Sequence, residues 1–140
     1  MSTIRFQFSR NPILRVLPAF LMMVAIFLFS ARSSLQPQLD LLNRAINKAG
    51  HVIGYTLLGL SYWRAFGFTT KKRWLIWLLA VLYALTDEYH QSFVPGRHST
   101  LFDVAVYDNA GALISLWISS RLIKLKQPVP DELVVEHAKG

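Results

Sequence analysis

WLIWLLAVLYALTDEYHQSFVPGRHSTLFD, residues 74–103, decides how this chain is built. It begins as a run of hydrocarbon side chains, meets Asp87 and Glu88, and turns through VPGR into a second apolar run. Read as helix, the stretch from Trp74 to Asp87 rises about 20 Å at about 1.5 Å per residue. The hydrocarbon layer of a bilayer is about 30 Å thick, and a span needs roughly 20 residues. The helix therefore reaches span length only if it carries Asp87, Glu88 and Gln91 into the apolar layer, to about Phe93. The competing reading is a short, tilted helix that stops near Thr86, with DEYHQSF as a hydrated loop.

Three further apolar blocks flank this one, at about 14–30 (LRVLPAFLMMVAIFLFS), 49–66 and 101–123. The chain is about one domain long. It is 53% hydrophobic and only 16% charged, with the apolar residues in blocks, which is the composition of a membrane protein. The expected fold is all-α, a polytopic membrane protein. About four transmembrane helices, over 14–30, 49–66, 74–93 and 101–123, form a bundle in a domain covering 1–126. A polar tail, 127–140 (QPVPDELVVEHAKG), follows. The first block reads as a span rather than a cleaved signal, because Phe29 is too bulky for a small-x-small cleavage site. Pro18 within it is tolerable in lipid, where neighbouring helices satisfy the freed carbonyl.

The formal charge of +7 is a matter of topology rather than of nucleic-acid binding, because the basic residues sit at the ends of the apolar blocks. Arg5, Arg10, Arg15, Arg64, Lys71, Lys72, Arg73, Arg121, Lys124, Lys126 and Lys139 fall on one side, which leaves Arg32, Arg44, Lys48 and Arg97 on the other. By the positive-inside bias both termini are cytoplasmic, and the 31–48 and 87–101 connections face outward. The expected location is a multi-pass position in the inner (cytoplasmic) membrane, with the lipid bilayer as partner and nucleic acid excluded. Trp74 and Trp77 would mark the inner interface. The absence of cysteine excludes disulfides and thiolate metal sites.

Polar residues gather at the outward ends. Asp87, Glu88 and Gln91 lie at helical spacings of three and four, so they share a face. Lys48, His51 and Tyr55 form a stripe at the start of the second helix, Asp103 and Asp108 lie at the start of the fourth, and Arg97 follows the Pro95-Gly96 turn. Unpaired carboxylates submerged by about 10 Å would cost several kcal/mol, so the acids require partners. Each residue also has a plainer reading. Lys48 can snorkel, Tyr55 can be an interfacial belt residue, and His51 an interfacial histidine. Gly54, Gly59 and Gly111 suit close helix packing. His90 and His98 have no spacing partner, and Ser92 and Ser99 lack a nucleophile elbow. No metal-ligand spacing is fixed, and no cofactor is readable.

KAGHVIGYTLLG (48–59), ALTDEYHQSFVPGRHSTLFD (84–103) and DNAGALIS (108–115) resemble, in order and spacing, the motifs of the VanZ-like family of small bacterial membrane proteins. The shared pattern is Lys-x-x-His-x-x-x-Tyr, then Asp-Glu-x-x-Gln-x-x-x-Pro-Gly-Arg, then an Asp followed by a second Asp or Asn and a Gly. FSARSS after the first block is similar to the family's Phe-Ser-Ser stretch. Asp108 departs from the pattern, falling five residues after Asp103 instead of about four. The resemblance implies a polytopic protein of about four helices. The family takes its name from a member associated with teicoplanin resistance, which is not implied for this chain.

Three functions compete. In the first, an enzyme acts on a cell-envelope lipid or lipid-linked anionic substrate at the outer leaflet. Lys48 and Arg97 hold the anion, Asp87 or Glu88 acts as general acid or base, and His51 shuttles a proton; Tyr55, Gln91, Asp103 and Asp108 complete the binding set. In the second, a pocket without chemistry binds a glycopeptide antibiotic or a cell-wall precursor. In the third, the polar residues only fix helix packing.

Overall fold

The computed structural model describes residues 11–32, 40–69, 71–97 and 100–126. Expectations placed on Arg5, Arg10, His98, Ser99, Lys139 and the 127–140 tail lie outside them. Among the described residues all regular structure is helical: α1 (Pro12–Ser30), α2 (Asp40–Ala65), α3 (Arg73–Gln91), α4 (Leu101–Asp103), a π-helical turn (Val104–Asp108) and α5 (Asn109–Lys126). The last three run on as one rod.

Helix α1 begins where the Asn11 side chain accepts a hydrogen bond from the Ile13 N–H at 2.9 Å, with Pro12 at the first helical position. Its 19 residues rise about 28 Å. Helix α2 starts nine residues before the apolar block that marks it, at Asp40 rather than 49. Asp40–Lys48 is rich in good helix formers such as Leu41, Leu42, Ala45 and Lys48, and the polar residues Asp40, Asn43, Arg44, Asn47 and Lys48 break up its apolar ones, which hides it from a search for apolar runs. Helix α3 carries Asp87 and Glu88 inside regular helix and ends at Gln91, two residues short of the expected Phe93. DEYHQ is therefore helical, and the hydrated loop is excluded. Gly96, at φ 77°, takes the left-handed conformation that the turn before Arg97 requires.

Helix α2 is the centre of the bundle. It runs antiparallel to α1, with Gly50 against Phe29 and Gly54 against Ile26, and parallel to α5, with Gly111 against Val52 and Tyr55 and Gly59 against Ser115. A Cβ at Gly111 would lie 2.5 Å from the Val52 carbonyl oxygen, so glycine there sets the distance between the two backbones. Helix α3 lies parallel to α1, tied by the Tyr83 hydroxyl donating to Met23 O at 2.5 Å.

Polarity is inverted relative to a water-soluble bundle. Ile13, Phe20 and Leu28 of α1, Trp74 and Leu82 of α3, and Leu113 and Trp117 of α5 are exposed, whereas Ser30, His51, Asp87, Glu88, Gln91 and Asp108 are buried. Pro12–Ser30 and Leu101–Ile123 are long and apolar enough to cross a membrane, yet only 17% and 28% of their apolar windows are buried within the protein. An apolar exterior this extensive is suited to lipid, not water.

Candidate functional site

The buried polar groups meet at the end of the bundle where α1 and α3 finish and α2 begins. On α3, Asp87 and Gln91 are one turn apart, and the Gln91 amide Nε2 donates to Asp87 Oδ2 at 3.0 Å. Ser30, the last residue of α1, donates its hydroxyl to the same oxygen at 2.7 Å. Gln91 Nε2 also lies 3.4 Å from Ser30 Oγ and 3.4 Å from His51 Nε2. An amide has two N–H donors, so one serves Asp87 and the other is shared between the hydroxyl and the imidazole. His51 Nδ1 is 2.8 Å from Asp108 Oδ1. These partners select the tautomer in which Nδ1–H donates to Asp108 and Nε2 accepts.

Asp108 reaches His51 because of the π-turn. There the Asn109 N–H bonds to Val104 O, five residues back, so each turn holds an extra residue and positions five apart come towards one side. Asp103 and Asp108 accordingly meet two α2 residues set three apart. Asp103 Oδ1 is 3.4 Å from Lys48 Nζ, and Asp108 takes His51. The five-residue spacing that departs from the family pattern is thus the spacing this backbone needs. Lys48 Nζ also donates to the Tyr107 hydroxyl at 3.3 Å, and sits 4.5 Å from the centre of that ring.

Two loop contacts close the site. Glu88 Oε1 accepts the backbone N–H of Thr100, the residue whose hydroxyl caps α4 by accepting from Asp103 N at 3.2 Å. The Arg97 guanidinium donates through Nη2 to Phe29 O at 2.8 Å and through Nε to Arg32 O at 3.1 Å, tying the turn after α3 to the end of α1. Burial lowers the Arg97 pKa from its usual value, and the charges of Asp87 and Glu88 oppose that shift. Arginine stays cationic at every physiological pH.

Above this network lies a cavity of about 360 Å³. Arg44, Lys48 and Arg97 bring cations to its wall, Glu88 and Asp103 bring carboxylates, and His51, Gln91 and Tyr107 add polar edges. Tyr55, Asp87 and Asp108 are not in the wall; they are buried, at 0%, 2% and 1% exposure. Tyr55 OH, Asp87 Oδ1 and Asp108 Oδ2 have no hydrogen-bond partner among the described residues. His90 stands apart, stacked on Phe27 at 4.2 Å between ring centres. Among the described residues no group of three or more His, Asp or Glu is arranged to hold a metal ion.

The family model described as VanZ/LLP1 matches residues 9–124. The chain belongs to the VanZ/LLP1 family. No curated protein and no solved structure is significantly similar to it. The VanZ match extends beyond the motif-bearing segment 48–111 to take in α1 and most of α5, the two helices that flank α2. For a VanZ-like membrane protein, the structure adds residues that the motifs leave unassigned. Ser30 lies in the FSARSS stretch, the one signal that pointed to it. Thr100 acts through its backbone, and Tyr107 and Arg44 meet Lys48 and the cavity only once the helices are packed.

Proposed function

We propose that this VanZ-family protein crosses the inner membrane with four helices, α1, α2, α3 and the α4–α5 rod. Both termini are cytoplasmic, and the cavity opens to the outer face. There it acts on the anionic, phosphate-like head group of a cell-envelope lipid. The observation that carries this reading is the His51–Asp108 pair: an imidazole oriented by a buried carboxylate, with its edge in a cavity wall where the cations Arg44, Lys48 and Arg97 outnumber the carboxylates Glu88 and Asp103.

Each residue then has a role that follows from its position. The cations hold head-group oxygens, Arg97 with whatever donor capacity its two carbonyl contacts leave. His51 Nε2 takes a proton from the attacking water or hydroxyl, and the imidazolium that forms is balanced by Asp108. Glu88, in the wall and held by the Thr100 N–H, is the second acid–base group, giving a proton to the oxygen that leaves phosphorus as the water or hydroxyl oxygen bonds to it. Asp87, beneath the wall, fixes Gln91 and through it the His51 ring, and Tyr55 packs under that ring at 6.1 Å between centres.

A binding protein without chemistry remains the alternative function. Its glycopeptide version suits the site poorly, because about 360 Å³ lies near the lower end of the about 300–1,000 Å³ range of drug-sized pockets. A head group fits that volume.

Purified protein should release product from a panel of lipid phosphates and diphosphates, and His51→Gln should lower the rate by about 10²–10⁴-fold, the usual contribution of a general base. Saturable binding of the same lipids with no product, unchanged in His51→Gln, would replace the enzyme by the binder.

A further inference from the structure

A second opening meets the first at His51. Between α1 and α2 lies a groove of about 200 Å³, and apart from His51 its wall is apolar; Met22, Ala25 and Phe29 form one side, and Gly50 and Gly54 the other. Two glycines let α1 and α2 approach closely along it. A Cβ at Gly50 would fall 2.8 Å from the Phe29 ring, and one at Gly54 would fall 3.3 Å from Ile26. From Phe29 to Met22 the groove descends about 10 Å along α1, at about 1.5 Å per residue, away from the polar end of the bundle. Its mouth lies between helices whose neighbouring surfaces, Leu21 and Leu28 on α1 and Ile53 and Leu57 on α2, are exposed and apolar.

We infer that this groove holds a hydrocarbon chain of the substrate while the anionic head occupies the cationic cavity, with His51 at the junction. The inference rests on the head-group reading above and names the substrate class more closely: an amphiphile, bound by head and chain together, that enters sideways from the membrane between α1 and α2. The two spaces share one residue. His51 borders both spaces, because on α2 it separates the Arg44 and Lys48 face from the Gly50 and Gly54 face, which residues at about 100° intervals turn towards α1. A molecule with its phosphate among the cations has an apolar slot beginning at the same imidazole. A soluble anion would have no use for that slot.

The test is a binding titration on purified, full-length protein with inorganic phosphate and with alkyl phosphates of increasing chain length. The wild type should bind each longer alkyl phosphate more tightly, by up to about fourfold per methylene, until the chain passes Met22. Ala25→Phe and Gly54→Leu, which fill the slot, should abolish that dependence and leave inorganic phosphate binding unchanged. Phosphate binding in each variant reports that it is folded. Equal affinity across chain lengths in the wild type, or the same dependence in both variants, overturns the groove while phosphate binding upholds the head-group site. Failure of the wild type to bind inorganic phosphate or any alkyl phosphate overturns both.

Discussion

Asp87 is the residue on which the polar end turns, and it is buried beneath the cavity wall. Its Oδ2 takes the Ser30 hydroxyl and the Gln91 amide, while its Oδ1 has no partner among the described residues. Ser30→Ala removes one of the two donors, and leaving a buried carboxylate short should cost about 1–3 kcal/mol. Thermal unfolding in detergent reads this as a lowered midpoint; an unchanged midpoint would show that Asp87 does not depend on Ser30. Arg97→Lys should also destabilise, because an ammonium cannot reproduce the planar fork that serves Phe29 O and Arg32 O together. At this scale the sequence was only partly legible. Acids on one helix face demanded partners, and helical spacing grouped Asp87 with Gln91. A lone serine at the end of an apolar run carries no spacing signal, and the carbonyls that hold Arg97 belong to backbone, which no side-chain pattern reveals.

The elements are arranged by small residues and by one irregular turn. Gly59 faces the Ser115 side chain, where a Cβ would lie 2.1 Å from Oγ and 2.7 Å from Cβ, whereas Gly111 faces the backbone of α2. The two should therefore respond differently. Gly59→Ala should cost about 1–3 kcal/mol by overpacking and be largely recovered by Ser115→Gly. Gly111→Ala should have no side-chain rescue, because the obstruction is the Val52 carbonyl. Unfolding midpoints of the single and double variants distinguish these outcomes, and failure of Ser115→Gly to rescue Gly59→Ala would contradict the packing described. Helix α3 was legible from the rise-per-residue count, which needed Asp87 inside the helix. The early start of α2 was not, since a helical segment of mixed polarity looks like a loop to a hydropathy reading. The π-turn was visible only as a misfit, the five-residue spacing from Asp103 to Asp108. A straight α-helix would turn those two apart by about 140° at about 100° per residue, and the π-turn brings them back to Lys48 and His51.

At the scale of the whole molecule, the exterior is apolar along α1, α3 and α5, and the polar groups are drawn to one end. Blocks of hydrophobic residues announced the first feature. The second followed from the order of the helices, since α1 and α3 end where α2 and α4 begin. Which side of a membrane that end faces is a matter of the charge distribution, part of which lies in residues outside the described structure. The absence of cysteine allows single cysteines to report on it without background. Phe102 is exposed and lines the cavity, and Lys71 lies at the opposite end, between α2 and α3. The most direct test is the reaction of Phe102→Cys with a membrane-impermeant maleimide in right-side-out and inside-out vesicles, with and without a short-chain alkyl phosphate. Phe102→Cys should be labelled only in right-side-out vesicles, more slowly with the phosphate present, and Lys71→Cys only in inside-out ones. Labelling of Phe102→Cys from the cytoplasmic side, or at a rate indifferent to the phosphate, would contradict an outward-facing site for an anionic head group.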